Sequence, residues 1–174
     1  MSNDIKRAYF YAPAARPIFI EIPDEDLEEG DDGMVGQLNL SLYGTRDAAV
    51  NWTRTYTSHL EQIGFTVGRA SPCNFHHPEK NIALTVHGDD FTSTGREEDL
   101  RWLDAQLRAK YEIKTDFLCP RDTHAKQLRI LNRVISWEDD GIMYESDQRH
   151  AEIIIKSMGV QKAVATPGSR DDVG

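Results

Sequence analysis

Apolar and polar residues alternate in the middle of the chain with the period of a β-strand. The alternation runs from Ala83 to Val86, a Gly-Asp-Asp turn follows at residues 88–90, and a second β-prone run continues to Thr94. This pattern predicts a β-hairpin with two adjacent carboxylates at its tip. Because adjacent like charges repel, two interpretations stay open, a divalent-cation site or an Asp-rich turn.

Three other segments have the spacing of amphipathic helices. The predicted helices span residues 47–62, with Gly64 as a stop, residues 97–110, and a last segment from Asp147 as N-cap to Gly159. Their apolar faces consist of Ala48, Trp52, Tyr56, His59, Leu60 and Ile63, then Leu100, Leu103 and Leu107, then Ala151, Ile154, Ile155 and Met158.

Further β-prone runs surround these helices. Residues 17–23, bounded by prolines, predict an edge strand, and residues 71–78 and 111–115 predict two more strands. Residues 127–137 and 141–145 predict a second hairpin. The order strand, helix, hairpin, helix, strand predicts an α+β fold, a split βαβ antiparallel sheet with helices on one face and a C-terminal hairpin–helix extension.

The composition predicts a soluble globular protein. The 174 residues are 28% charged and 39% hydrophobic, enough for one domain with a core, or a domain plus an appendage. We find no apolar run that could span a bilayer and no signal-peptide pattern at the start, so no membrane partner is expected. Two cysteines, Cys73 and Cys119, make no disulfide framework, which favours an intracellular location, cytoplasmic or nuclear.

The net charge of −9 is unusual for a protein that binds nucleic acid, since phosphate contacts usually need a basic surface. Much of the excess lies in the acidic tract at residues 24–32, which we interpret as a solvated loop. The remainder of the chain is close to neutral. The charge therefore argues mildly against nucleic acid and does not decide the question.

A zinc site is a weaker hypothesis. Its possible ligands are Cys73, His76, His77, Cys119 and His124. Their spacing fits no closed zinc motif, and strand alternation would direct Cys73 and His76 to opposite faces. A small calcium- or zinc-binding module is disfavoured for the same reason.

Several stretches, in order, resemble the reverse transcriptase of copia-type retrotransposon polyproteins. Residues 4–10 resemble the family's Asp-Val-Lys-Thr-Ala-Phe-Leu motif, and residues 41–52 its Ser-Leu-Tyr-Gly-Leu-Lys-Gln-Ala-Pro-Arg-Gln-Trp motif. Residues 86–90 stand where the family has Tyr-Val-Asp-Asp. The remaining matches are residues 63–65 with 71–73, residues 141–144 and residues 165–167. Each motif is weak alone, but their shared order over nearly the whole chain is specific.

The resemblance implies an RNA-directed DNA polymerase that extends a primer 3′-hydroxyl by two-metal chemistry. Its catalytic and metal-binding acids would be Asp4, Asp89 and Asp90, holding two Mg²⁺ ions that Mn²⁺ can replace. Asp4 is 85 positions before Asp89, so only neighbouring strands of one sheet could bring the two together.

The resemblance also implies a substrate site at Tyr9, Tyr43, Gly44 and Arg46. Tyr9 would lie under the sugar, where it would exclude a 2′-hydroxyl, and its alternative is a buried core aromatic. Tyr43 and Gly44 would line the nucleotide pocket. Arg46 would contact phosphate, and its alternative is a surface cation at a helix start.

The implied partners are an RNA or DNA template–primer, dNTPs and the rest of the Pol polyprotein, with its integrase and ribonuclease H. The implied domains are a palm-like sheet with partial fingers at residues 1–125, a primer-grip-like hairpin with the start of a thumb at residues 126–164, and a disordered tail at residues 165–174.

The chain departs from the family pattern in places. His87 and Gly88 replace Tyr-Val, Asp47 and Ala49 replace Gln and Pro, and Asn132 stands where the family has glycine. The basic fingers segment that normally precedes the first acid is not in this sequence. We therefore expect little or no polymerisation by the chain alone, and the alternative function is a non-catalytic remnant of a transposon or a binding domain.

Overall fold

The computed structural model describes residues 1–31, 33–120, 124–145 and 148–162. Its secondary structure is mixed, with three α-helices and antiparallel sheets, so the predicted α+β class is confirmed. The chain divides into two compact units, Met1–Phe117 and Leu118–Gly174. In the described part, no helix combines the length and the apolar character needed to cross a membrane.

The first unit holds most of the regular structure. Its strands are β1 (Ser2–Ile5), β2 (Phe19–Glu21), β3 (Val35–Gln37), β4 (Thr66–Val67), β5 (Asn74–His77), β6 (Ile82–His87), β7 (Asp90–Thr94) and β8 (Ile113–Asp116). Its helices are α1 (Ala48–Gln62) and α2 (Glu97–Arg108), and short 3-10 helices occupy Ala8–Tyr11 and Asp24–Asp26.

Six of these strands form one antiparallel sheet in the order β4-β5-β6-β7-β1-β8. The strand nearest the N-terminus, β1, is therefore an interior strand, with β7 on one side and β8 on the other. The helix α2 connects β7 to β8. The predicted edge strand at residues 17–23 is β2, which pairs with β3 in a separate two-stranded sheet.

Alternate side chains of the large sheet are buried on one face. Ile82, Leu84 and Val86 of β6 share this face with Ile5 of β1 and Phe91 of β7. They form one hydrophobic core with side chains from both helices, namely Trp52, Tyr56, Leu60, Leu100, Leu103 and Leu107. Most of the intervening strand residues carry polar side chains, so the sheet has a covered face and an open face.

The two helix predictions for the first unit are confirmed to within two residues at each end. Five of the six predicted inward positions of α1 are buried, and Ile63 is half-buried. Gly64 follows this helix with φ of 99°, a left-handed conformation that ends helices and favours glycine.

In the second unit, the structure corrects the strand predicted over residues 127–137. Leu131 and Asn132 adopt φ of 49° and 62°, which breaks the run into β9 (Gln127–Ile130) and β10 (Arg133–Glu138). Positive φ at two successive turn residues is the signature of a type I′ hairpin turn, and asparagine tolerates it well. The strand β11 (Gly141–Glu145) pairs with the other edge of β10.

The last helix is α3 (Gln148–Ser157), and Gly159 follows it with φ of 62°. Its predicted apolar face is exposed in the structure, since Ile154 is 56% and Met158 is 73% accessible. The predicted N-cap Asp147 and the predicted disordered tail at residues 165–174 lie outside the described residues.

His59 on α1 is a buried ionisable group that should make stability depend on pH. The side chain is 8% exposed, and burial, assisted by the charge of Lys110, lowers its pKa to about 4. An unfolded histidine binds its proton near pH 6.5, so the folded state loses stability as pH falls from about 6.5 to about 4. Above this window the contribution of His59 is fully present.

We expect His59→Gln to remove up to about 1.4 kcal/mol per pH unit from the slope of unfolding free energy in that window. Urea denaturation at several values between pH 4 and pH 7 measures the slope. The matched control is His76→Gln, which changes an exposed histidine on β5. Equal slopes for the wild-type protein and His59→Gln would contradict the prediction.

Candidate active site on the open face of the sheet

The predicted hairpin around the Gly-Asp-Asp sequence is present. His87 of β6 pairs with Asp90 of β7, so Gly88 and Asp89 form a two-residue turn. Gly88 has φ of 65°, whereas Asp89 is not among the described residues with positive φ. Positive φ at the first central position alone is typical of a type II′ turn, which prefers glycine there. A Cβ at Gly88 would meet no atom within 4 Å, so the backbone angle and not crowding favours glycine.

The register of β1 brings the first predicted acid to this hairpin. Asp4 is directly opposite Asp90, and the backbone N–H of Ile5 donates a 3.0 Å hydrogen bond to the carbonyl of Asp89. Residues directly opposite each other in an antiparallel pair point to the same face, with Cβ atoms about 4.5–5.5 Å apart. Since Ile5 and Phe91 are buried on the covered face, Asp4 and Asp90 lie on the open one.

A row of charged and polar side chains crosses the open face at this level. It runs through four strands as His87, Asp90, Asp4 and Lys114. One step along the strands, the next row on the same face consists of Thr85, Thr92, Ser2 and Asp116. The acids are therefore flanked by hydroxyl groups and by two basic side chains, His87 and Lys114.

The three acids interact electrostatically. Burial raises the pKa of Asp90, the negative charges of Asp89 and Asp4 raise it further, and His87 lowers it. Among the described residues, the aspartates do not form a group whose ligand oxygens all lie within 4.8 Å of one another. Carboxylate oxygens are the hard ligands that divalent cations such as Mg²⁺ take, so the aspartates are the residues of this face that could hold a metal.

An aromatic cluster borders the acids. The ring of Tyr43 lies 4.3 Å from that of Tyr9 and 5.8 Å from that of Phe10, measured between centroids. Tyr43 is 46% exposed, and partial burial together with the charge of Asp89 raises its pKa. Tyr43 is thus within electrostatic reach of Asp89. Gly44 follows it with φ of 89°.

Tyr9 and Arg46 differ in how firmly they are held. Tyr9 is partly buried and packs against the hydrophobic core while contacting Tyr43, and its role under the sugar stays a prediction. Arg46 is exposed just before α1. No contact described for the chain joins Arg46 to the aspartates, and its phosphate role stays a prediction.

Two polar residues that were not singled out from the sequence fix the loop carrying Tyr43. Asn51 Nδ2 of α1 donates a 3.1 Å hydrogen bond to Ser41 Oγ, and both side chains are buried. The backbone N–H of Ser41 donates to the carbonyl of Ala12 at 2.8 Å. A sequence signal existed for Asn51, which lies three residues after Ala48 and so on the predicted apolar side of α1. Ser41 precedes the helix and had no such signal.

A second buried polar group lies behind Asp4. Asn3 points to the covered face, where its Nδ2 donates to Thr115 Oγ1 at 2.9 Å and to Asp104 Oδ1 at 3.3 Å. Arg108 Nε donates to Asp104 Oδ2 at 2.9 Å. This network joins the strand of Asp4 to β8 and α2, and sequence analysis had no signal for it because its members are far apart in the chain.

Two of the three histidines considered for zinc, His76 and His77, point to opposite faces of β5. His76 is exposed, whereas His77 is buried. The Nδ1 atom of His77 accepts a 3.3 Å hydrogen bond from the backbone N–H of Lys80, so its Nε2 carries the proton and donates to the carbonyl of Ile63 at 3.1 Å. Both ring nitrogens of His77 are therefore engaged by backbone groups. Cys73 and Cys119 are free thiols.

The amino-acid sequence has relatives in a known family. Residues 2–121 match the family described as reverse transcriptase (RNA-dependent DNA polymerase), and the chain belongs to that family. More specifically, it is similar to the Retrovirus-related Pol polyprotein from transposon TNT 1-94 of Nicotiana tabacum, with 23% identity over 94% of this chain. It is also similar to the Transposon Ty1-MR1 Gag-Pol polyprotein of Saccharomyces cerevisiae, with 30% identity over 64% of this chain.

These relatives identify a reverse transcriptase region of the copia type, which confirms the resemblance seen in the motifs. The matched regions cover only 12% of the tobacco polyprotein and 6% of the yeast one.

Burial of Asp90, together with the charges of Asp89 and Asp4 beside it, should destabilise the metal-free protein at neutral pH. Because the folded-state pKa of Asp90 is raised, the folded protein binds this proton more tightly than the unfolded chain does. Stability is therefore lost as pH rises from near 3.8 through the raised pKa. We expect Asp90→Asn to increase the unfolding free energy at pH 7 by a few tenths to about 1 kcal/mol, and by less at pH 4.

Denaturant unfolding in the presence of a chelator measures this effect. The control is Asp116→Asn, which removes a carboxylate that pairs with Lys114 at 3.4 Å and should therefore not stabilise. A neutral or destabilising effect of Asp90→Asn at pH 7 would show that the acids do not repel one another appreciably.

Proposed function

We propose that the first unit is the metal-binding part of a copia-type RNA-directed DNA polymerase, which adds nucleotides from dNTPs to a primer 3′-hydroxyl. The observation that carries the proposal is the register of three strands. Asp4 lies opposite Asp90 on the open face, and Asp89 occupies the turn next to them.

The strand order supports a palm-like sheet. Within the large sheet, β6, β7, β1 and β8 are consecutive neighbours, and all pairs are antiparallel. Along the chain the order is β1, α1, β6, β7, α2 and β8, if the strands β4 and β5 at the sheet edge and the separate β2–β3 sheet are set aside. This order is the one expected of a split βαβ unit, and it supports the proposal together with the contribution of both helices to the core on one face.

The role of the acids follows from their chemistry. Asp4, Asp89 and Asp90 would hold two Mg²⁺ ions, or Mn²⁺ in their place, because clustered carboxylates supply the hard oxygen ligands that these ions take. When bound, such an ion pair lowers the pKa of the attacking hydroxyl and stabilises charge on the in-line transition state. The protein's own contribution is to keep the carboxylates on one rigid sheet, so that little reorganisation is needed.

The aromatic cluster supports a nucleotide pocket beside the acids. Tyr43 is exposed, and its pKa is raised in part by the charge of Asp89. The adjacent Gly44 exposes its backbone because it has no side chain. Tyr9 stacks against Tyr43 at 4.3 Å and would form the floor under the sugar. Arg46 would contact phosphate from the loop before α1.

The proposed partners are template–primer, lying over the open face, and the other parts of the Pol polyprotein, including integrase and ribonuclease H. The hydroxyl groups of Thr85, Thr92 and Ser2 could donate to a backbone phosphate there. In this proposal the palm with part of the fingers covers residues 1–125, close to the end of the first unit at Phe117. The hairpin turn at Leu131 and Asn132 would belong to a primer-grip-like segment with the start of a thumb, residues 126–164.

The metal assignment predicts the effect of a charge-neutral change at Asp89. Asp89→Asn keeps the size of the side chain and removes the charge, so it should weaken Mn²⁺ binding and lower primer extension by more than about a hundredfold. Electron paramagnetic resonance of free Mn²⁺ measures binding by this chain. Extension of oligo(dT) on poly(rA), by the chain and by a form that also carries a fingers segment, measures synthesis.

Asp140→Asn is the matched control, because it changes an aspartate in the hairpin turn of the second unit. Retention of more than a small fraction of synthesis by Asp89→Asn would remove Asp89 from the catalytic site. Absence of both Mn²⁺ binding and synthesis in every form would favour the non-catalytic remnant.

The pocket assignment predicts a change in sugar selection. Tyr9→Val shortens the proposed floor of the pocket, so it should admit ribonucleotides and lower the ratio of kcat/KM for dNTP over rNTP by at least about tenfold. Steady-state incorporation of single nucleotides by the fingers-containing form measures the ratio. Phe10→Val is the control, since Phe10 also contacts Tyr43 but is more exposed. An unchanged ratio of kcat/KM for dNTP over rNTP in Tyr9→Val would show that Tyr9 has a purely structural role.

A further inference from the structure

A buried tryptophan on α1 reaches the turn that carries Asp89. Trp52 Nε1 donates a 2.8 Å hydrogen bond to the carbonyl oxygen of Gly88. The side chain is only 1% exposed, so the bond is made from the covered side of the sheet. Among the described hydrogen bonds, this is the one that ties an α1 side chain to the hairpin tip.

The direction of this N–H is set by core packing. The Trp52 ring meets Tyr56 and Tyr111 edge to face, each at 5.4 Å between centroids, and Phe91 at 6.3 Å. A large ring enclosed by three others cannot rotate without disturbing the core. The donor therefore has a fixed position under the turn.

The peptide group that Trp52 holds is the one that decides the turn type. Gly88 and Asp89 are the two central residues, and the Gly88 carbonyl belongs to the peptide between them. Types I′ and II′ differ by a flip of this central peptide, which changes ψ of the first residue and the sign of φ of the second. The structure has a II′ pattern here, whereas the turn at Leu131 and Asn132 has positive φ at both positions.

The peptide after Asp89 is held as well. Its carbonyl accepts the 3.0 Å hydrogen bond from the backbone N–H of Ile5. The Cα of Asp89 therefore lies between two fixed peptides, one held by Trp52 and one by the strand that carries Asp4. The direction of the Cα–Cβ bond follows from these two peptides, so the carboxylate starts from a defined point beside Asp90.

We infer that Trp52 is a positioning residue for Asp89, which holds the Gly88–Asp89 peptide in the II′ orientation and so directs the Asp89 carboxylate toward the open face. The inference rests on the proposed function where it concerns metal. Groups that orient metal ligands from behind typically change metal affinity by about 10–100-fold when they are removed.

The test removes the N–H and keeps an aromatic ring. In Trp52→Phe we expect the Mn²⁺ dissociation constant to rise roughly tenfold or more. In the metal-free variant we expect a strong nuclear Overhauser effect between the amide protons of Gly88 and Asp89. These protons approach each other when the peptide flips toward I′, and they are apart in II′.

Tyr56→Leu is the matched control. It opens the same aromatic cluster next to Trp52 without touching the hydrogen bond. We expect it to lower the melting temperature at least as much as Trp52→Phe, while Mn²⁺ affinity and the turn stay as in the wild-type protein. A general loosening of the core would instead affect metal binding in both variants, which would overturn the inference.

Two further outcomes are decisive. If Trp52→Phe does not fold, replacement of Trp52 by 3-benzothienylalanine keeps the bicyclic shape, lacks the N–H and allows the same measurements. Wild-type Mn²⁺ affinity and a wild-type turn in either folded variant would overturn the inference. If the wild-type protein binds no Mn²⁺, the metal site in the proposed function fails, and the conformation of the turn alone decides the role of Trp52.

Discussion

The pairing of β1 with β7 is the interaction on which the site depends. It places Asp4 opposite Asp90, and it supplies the N–H of Ile5 that holds the Asp89 carbonyl. A shift of one residue in this register would move Asp4 to the covered face, since side chains alternate with period two. Because β8 pairs with the other edge of β1, the strand is held on both sides.

Register is in turn fixed by what lies on the covered face. Ile5 and Phe91 are fully buried there, so slippage would expose them and bury charge. Two polar contacts favour the same register. Asn3 is joined to Thr115 and Asp104 behind Asp4, and Trp52 is joined to Gly88 behind Asp89. Each acid-bearing segment thus has its own hydrogen bond from a buried side chain, which is satisfied only when the segment is in place.

The local sequence pattern was sufficient to predict those elements whose signal lies entirely within their own residues. The alternation of apolar and polar residues up to Val86, followed by Gly88 and two acids, predicted the hairpin. The apolar stripe at helical spacing, followed by Gly64, predicted α1. The local pattern was insufficient in the second unit, where the break at Leu131 and Asn132 depends on left-handed backbone that a β-prone run does not reveal. The exposure of Ile154 and Met158 likewise shows that an amphipathic face indicates a helix but not what covers it.

The sequence by itself determined the α+β class, the hairpin, two helices and, through motif order, the reverse transcriptase family. Only the tertiary structure decided that Asp4 meets Asp90 and that Trp52 reaches Gly88. The physical reason is distance along the chain. Periodicity and turn chemistry act over a few residues, whereas these contacts join positions 86 and 36 residues apart and arise from the packing of strands and helices around a shared core.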